Sequence, residues 1–136
     1  GTVFISVKDQ DKKPLIVEVA KKLKKMGFRI ISTEGTACYL RKHNIEAKVI
    51  PRLSQGRPNL LDFMEKQKVH LIINTVSGKI PRQDEVRIRS TAIAYGIPVV
   101  TTLPGALACI KAISVLRKSE LKVRAIQDYH RLIKSV

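Results

Sequence analysis

The feature that most constrains this chain is an alternation. Short β-type apolar runs are each followed by a segment with helical periodicity, and the pair recurs five times without a linker-like gap. Thr2 to Lys8 reads as a strand, and Leu15, Ile16, Val19, Ala20, Leu23 and Met26 then recur at helical spacing up to Gly27. Phe28 to Ser32 is the second strand, with a helix from about Gly35 to His43; Ile45 to Ile50 is a short third strand. A loop from Pro51 to Asn59 leads to a helix over Leu60 to Lys66. Val69 to Asn74 is nearly all apolar, as a strand covered on both faces should be. Asp84 to Tyr95 is helical, Ile97 to Thr101 is a fifth strand, and a helix runs from Ala106 to about Arg117. Leu121 to Ile126 reads as an edge strand before a basic terminal helix. Such alternation specifies an α/β fold of three layers, a parallel sheet between two sheets of helices.

A parallel sheet carries its ligand site beyond the carboxyl ends of its strands. Small polar residues stand at four of those ends: Ser6, Ser32-Thr33, Asn74-Thr75 and Thr101-Thr102, while Arg52 and Arg57 follow the remaining strand. These groups converge on one rim whatever the strand order. The turn Ser32-Thr33-Glu34-Gly35-Thr36-Ala37 is its centre. A strand that stops at hydroxyls and a glycine and then enters a helix points unpaired N–H groups and the positive end of the helix dipole outward. Phosphate is the usual occupant of such a place. The competing reading is that Thr33 and Thr36 only cap the helix.

Charge favours an anionic partner. The 136 residues hold 26 Lys+Arg against 11 Asp+Glu, a net +15. Lys12, Lys13, Arg52, Lys79 and Arg82 lie in or beside the rim loops, where arginine grips a phosphate bidentately and lysine acts as a point charge. Lys21, Lys22, Lys24 and Lys25 flank Leu23 and are the wet face of a helix. Aromatic residues make up only 4%, which argues against stacking platforms for single strands, and no nucleic-acid-binding module is recognisable. No apolar run approaches the roughly 20 residues of a membrane span. No charged-then-apolar run opens the sequence, so no secretion signal is expected. Cys38 and Cys109 sit in apolar helical patterns and read as buried free thiols, which fits a cytoplasmic setting.

Catalytic constellations are weak. Asp9, Asp11, Glu34, Asp62 and Asp84 fall near the rim, yet no spacing holds two of them as an acid/base pair. His43, His70 and His130 are scattered, and no His/Cys/Asp set has metal-ligand spacing. The expectation is therefore no catalytic residue, no metal site and no cofactor in this chain.

The segments FISVKDQDK, STEGTA, QGRPN, VHLIINTVSG and IPVVTTL, with Val86-Arg87-Ile88-Arg89-Ser90, resemble the methylglyoxal-synthase-like domain family. Within it the pattern is nearest to the carboxyl-terminal allosteric domain of carbamoyl phosphate synthetase large subunits. The likeness runs from about Val3 to Tyr129. It implies a Rossmann-like five-stranded parallel sheet in one regulatory domain, a fragment of a larger chain. It also implies a nucleoside monophosphate effector, uridine or inosine monophosphate (UMP or IMP), on the rim. Its phosphate would be held by Lys12 or Lys13, by Thr33, Gly35 and Thr36 of the turn, and by Arg52, where the family usually has lysine. Its base and ribose would meet Ser6, Asn74, Thr75 and Ser77, with Val76 standing where a threonine is usual. The partners implied are the remainder of the large subunit and a glutaminase small subunit; ATP and magnesium would serve the parent ligase, which makes carbamoyl phosphate from glutamine for pyrimidine and arginine synthesis.

The same comparison argues against methylglyoxal-synthase-type phosphate elimination. Ser54 to Asn59 replaces the aspartate-bearing loop of those enzymes, and Val7-Lys8 stands where they carry His-Asp. A basic nucleic-acid-binding module is the remaining alternative, carried by charge alone.

Overall fold

The computed structural model describes residues 1–75 and 83–134, with side chains through 127. Its strands are β1 (Thr2–Ser6), β2 (Arg29–Ser32), β3 (Lys48–Val49), β4 (Leu71–Asn74) and β5 (Val99–Val100). Its helices are α1 (Pro14–Lys25), α2 (Glu34–Lys42), α3 (Leu60–Glu65), α4 (Gln83–Ala94) and α5 (Leu103–Lys134), and a 3-10 turn covers Asp9–Asp11. The strands form one sheet in the order β3-β2-β1-β4-β5, with every pair parallel. This is the expected Rossmann-like, three-layer α/β fold.

The period-2 geometry of a strand sends alternate residues into two cores. Val3 and Ile5 of β1 join Ile16, Val19 and Leu23 of α1 and Leu103, Ala106 and Ile110 of α5 on one face. Phe4 joins Ile31, Leu60, Met64, Ile72, Ile88 and Ala92 on the other, under α3 and α4. Ile5, Ile72 and Ile73 are wholly inaccessible, as the middle of a two-sided sheet requires. The register pairs Ile5 with Ser32 and Ser6 with Asn74, so the carboxyl ends of the three central strands finish side by side. The chain order reverses between β1 and β4, and a crevice opens there.

Three expectations need correction. Leu121 to Ile126 is not an edge strand but part of α5, which runs unbroken from Leu103 to Lys134. Leu121, Val123 and Ala125 alternate like a strand, yet they gain no strand partner, and Glu120 and Arg124 pair at 3.5 Å in the i,i+4 arrangement of a helix surface. The cysteines are not buried: Cys38 is exposed and Cys109 is half-buried. In α2 the residues turned inward are Thr36, Ala37 and Leu40, which puts Cys38 on the outer face. In α5 the sheet is met by Leu103, Ala106 and Ile110, leaving Cys109 at the margin. Lastly, β3 and β5 shrink to two residues each, because each is an edge strand paired on one side only.

Helix α3 starts at a fully reciprocated cap. The Asn59 side chain accepts from the Leu61 N–H at 3.0 Å, and the Asp62 carboxylate accepts the Asn59 N–H at 2.8 Å. The Arg57 guanidinium closes on the same carboxylate, with Nε 3.1 Å from Oδ1. The Arg57 hydrogen bond, aided by the Asn59 N–H, holds the Asp62 carboxyl down to about 2 from its ordinary 3.8. A depressed carboxyl contributes stability that is present above its unfolded pKa and lost as pH falls through the folded one. The wild-type melting temperature should therefore drop between pH 4 and pH 2 through this group. Asp62→Asn should be less stable at neutral pH and show a flatter acid limb in thermal melts. An acid limb identical in the two proteins would remove Asp62 from the account.

Candidate functional site

The turn between β2 and α2 is built by residues that reach across to β1. Thr33 occupies the N-cap of α2 in extended conformation, but its side chain makes no capping bond. Its Oγ1 lies 3.0 Å from Ser6 Oγ instead. Thr36, in the first turn of α2 and 1% exposed, accepts the Val7 N–H on Oγ1 at 3.1 Å. The simple capping alternative therefore fails for both hydroxyls. On the other side of β1, Thr75 Oγ1 accepts the Lys8 N–H at 2.9 Å, and the Thr75 N–H donates to the Ser6 carbonyl at 3.0 Å. The chain leaving β1 is thus clasped by β2–α2 on one side and by the end of β4 on the other. The first N–H groups of α2 have no side-chain cap, and the positive end of its dipole is left for another partner.

Beside this turn a cleft of about 240 Å³ opens at the reversal point. Ser6, Thr33, Arg52, Asn74 and Thr75 line it, together with Lys8, over an apolar floor of Phe4, Leu53, Leu60 and Ile88. Asp84 and Glu85 face in from the first turn of α4. Five of the residues expected from the sequence therefore meet in one cavity. Lys8 is an addition: the first strand is two residues shorter than its apolar pattern suggests, and its end frees Lys8 to line the rim. Thr36 does not line the cleft; it lies buried against the Val7 amide. Val76, Ser77, Lys79 and Arg82 fall outside the described residues.

The two lysines of the first loop part company. Lys13 is the N-cap residue of α1 and is exposed. Lys12 folds back onto α2, where its Nζ lies 3.2 Å from the point that a Cβ on Gly35 would occupy. Gly35 therefore lets an ammonium reach the helix N-terminus. Lys12 Nζ also donates to Asp9 Oδ1 at 2.6 Å. This bond holds the Asp9 carboxyl below its ordinary range, and Arg52 adds to the effect. Asp11 faces Lys8 Nζ at 4.0 Å. Among the described residues no group of three or more His, Cys, Asp or Glu is placed to hold a metal ion. No helix among them is long and apolar enough to cross a membrane.

An uncapped helix end, hydroxyls, an amide and the cations Lys8 and Arg52 are gathered at the strand ends, with Asp84 and Glu85 beside them; free N–H groups and cations of this kind can hydrogen-bond to an anion. The MGS-like domain model matches residues 15–101, the part of the chain that holds most of this site. The chain belongs to the MGS-like domain family. Among its relatives is the carbamoyl phosphate synthase large chain of Archaeoglobus fulgidus, 47% identical over 96% of this chain and 12% of that protein. Another is the C-terminal section of the carbamoyl phosphate synthase large chain of Methanocaldococcus jannaschii, 47% identical over 99% of this chain and 22% of that protein. The MGS-like chain thus spans a small part of the length of these relatives. Its fold is shared by methylglyoxal synthase from Elizabethkingia anophelis, with a TM-score of 0.65 at 13% identity over 80% of this chain and 76% of that one.

Proposed function

We propose that this MGS-like domain is the allosteric, nucleotide-sensing part of a carbamoyl phosphate synthase large chain, and that it binds UMP and/or IMP at the carboxyl edge of its sheet. The observation that carries the reading is the meeting of Ser6, Thr33, Arg52, Asn74 and Thr75 around one cleft beside the uncapped start of α2. The relatives supply the parent: they are carbamoyl phosphate synthase large chains. In this reading the phosphate sits on the Thr33–Thr36 turn, with Lys12 and Arg52 supplying charge, and the ribose and base extend toward Ser6, Asn74 and Thr75. The chain does no chemistry of its own and holds neither metal nor cofactor. The ATP and magnesium sites, and the contact with a glutaminase small subunit, belong to the rest of the parent ligase.

Regulation then follows from linkage. A ligand that binds one state of the parent enzyme better than the other shifts the balance between them by its differential affinity. A rim clasped by three strand ends transmits such a bias, because the ligand's phosphate and base contact groups fixed to β1, β2 and β4 together.

Titration calorimetry of this 136-residue chain with UMP and IMP at modest salt tests the reading. Saturable one-to-one binding, absent with uridine and inosine, is expected. Equal binding of the nucleosides would overturn it. So would stronger binding of random oligonucleotides with a steep salt slope, which would establish a nucleic-acid module instead. Release of inorganic phosphate from dihydroxyacetone phosphate would establish the elimination enzyme.

A further inference from the structure

Asp9 enters none of the roles above, although its carboxylate lies on Lys12 at the helix end where the proposed ligand's phosphate would sit. We propose that Asp9 is a built-in competitor for the anion subsite: its carboxylate occupies Lys12 Nζ when the site is empty, and a phosphate binds by displacing it. The inference rests on the nucleotide-site reading and adds to it a residue that sets affinity.

Three observations support it. First, Lys12 is electrostatically out of place. Its ammonium stands over Gly35 in the first turn of α2, at the positive end of a helix that no side chain caps. A cation there is disfavoured unless an anion joins it. Asp9 is that anion in the structure, 2.6 Å from Nζ. Second, Asp9 is poorly anchored. Its side chain is 90% exposed, whereas that of Lys12 is 25% exposed, so the carboxylate can swing into water while the ammonium stays. Third, the two occupants differ in charge. A phosphate monoester carries about −1.5 to −2 at neutral pH, against the single negative charge of the Asp9 carboxylate. The dianion is therefore the better partner for Lys12, and weaker monoanions must compete with a carboxylate tethered three residues away. Asp9 thereby raises the threshold for entry and favours phosphate esters over carboxylates.

The test is calorimetry with UMP, using the chain as it stands and Asp9→Asn, Lys12→Met and the double variant. Asp9→Asn replaces an exposed side chain and should fold normally, which a thermal melt checks. It is expected to tighten UMP binding roughly three- to tenfold, the scale of an exposed ion pair plus the repulsion it exerts on the ligand. In the Lys12→Met background the same change should gain less than about twofold, because the competition acts through Lys12. An unchanged or weaker affinity of Asp9→Asn overturns the inference. A gain that persists in full without Lys12 also overturns it, since Asp9 would then act only through the general field. Absence of UMP binding by both the native chain and Asp9→Asn overturns the site reading and this inference with it.

Discussion

Arg52→Ala is expected to weaken UMP binding by about 10- to 100-fold, the range set by losing charge-assisted hydrogen bonds worth about 1.5–3 kcal/mol. The side chain is exposed and forms no ion pair among the described residues, so the fold does not depend on it. What positions Arg52 is its backbone, whose N–H donates to Gln55 Oε1 at 3.2 Å and whose carbonyl accepts the Gln55 N–H at 2.9 Å. This small turn survives truncation of the side chain, and the melting temperature should stay essentially unchanged. Arg52→Lys should fall between native and alanine, because it keeps the charge and loses the fork that holds two phosphate oxygens. Calorimetry with UMP separates the three proteins. Native affinity in Arg52→Ala would place the phosphate elsewhere on the rim and remove Arg52 from the site.

Much of this arrangement could be read from the residues, and the unread part has physical causes. Alternation of strand and helix periods specified a parallel sheet, and in a parallel sheet all strands end on the same edge. Ser6, Thr33, Asn74 and Thr75 could therefore be gathered on one rim with no knowledge of the order β3-β2-β1-β4-β5, which depends on packing across the whole sheet. Arg52 follows by the same logic from the end of β3. The choice between Lys12 and Lys13 was beyond local pattern. It turns on the 3-10 turn at Asp9–Asp11, which brings Lys12 back to α2 and leaves Lys13 to open α1. The competition from Asp9 was equally hidden, because it is a contact between a loop and a helix end separated by some twenty residues of chain. Leu121 to Ile126 misled for a different reason. Alternation identifies a strand only when a sheet edge is free to receive it, and here the segment continues a helix whose earlier part is anchored elsewhere. Arg117 provides that anchor, donating to the Met26 carbonyl at 2.8 Å and lying 4.8 Å from the centre of the Phe28 ring. Beyond it Leu121, Val123 and Ile126 are all exposed, so burial does not decide their conformation.

Thr36 is where stability and recognition meet, and valine is the substitution that separates them. Thr36→Val keeps the shape of the side chain and deletes the oxygen that accepts the Val7 N–H in a buried setting. The amide is then left without its partner, at a cost of about 1–3 kcal/mol. A domain of this length is held by roughly 7–20 kcal/mol in all, so a fall of several degrees in melting temperature is expected. Thr36→Ser restores the acceptor and should recover most of that loss. The effect on binding follows from the clasp. Thr36 is buried and lies outside the cleft, but its bond to Val7 fixes the start of α2 against the end of β1, and with it the N–H groups that would meet a phosphate. Thr36→Val should therefore lower UMP affinity as well as stability, and Thr36→Ser should return both together. Stability lost with affinity intact would reduce Thr36 to a strut beneath the site. Stability unchanged in the valine variant would mean that the Val7 amide finds another acceptor, and that the clasp between β1 and α2 does not rest on this bond.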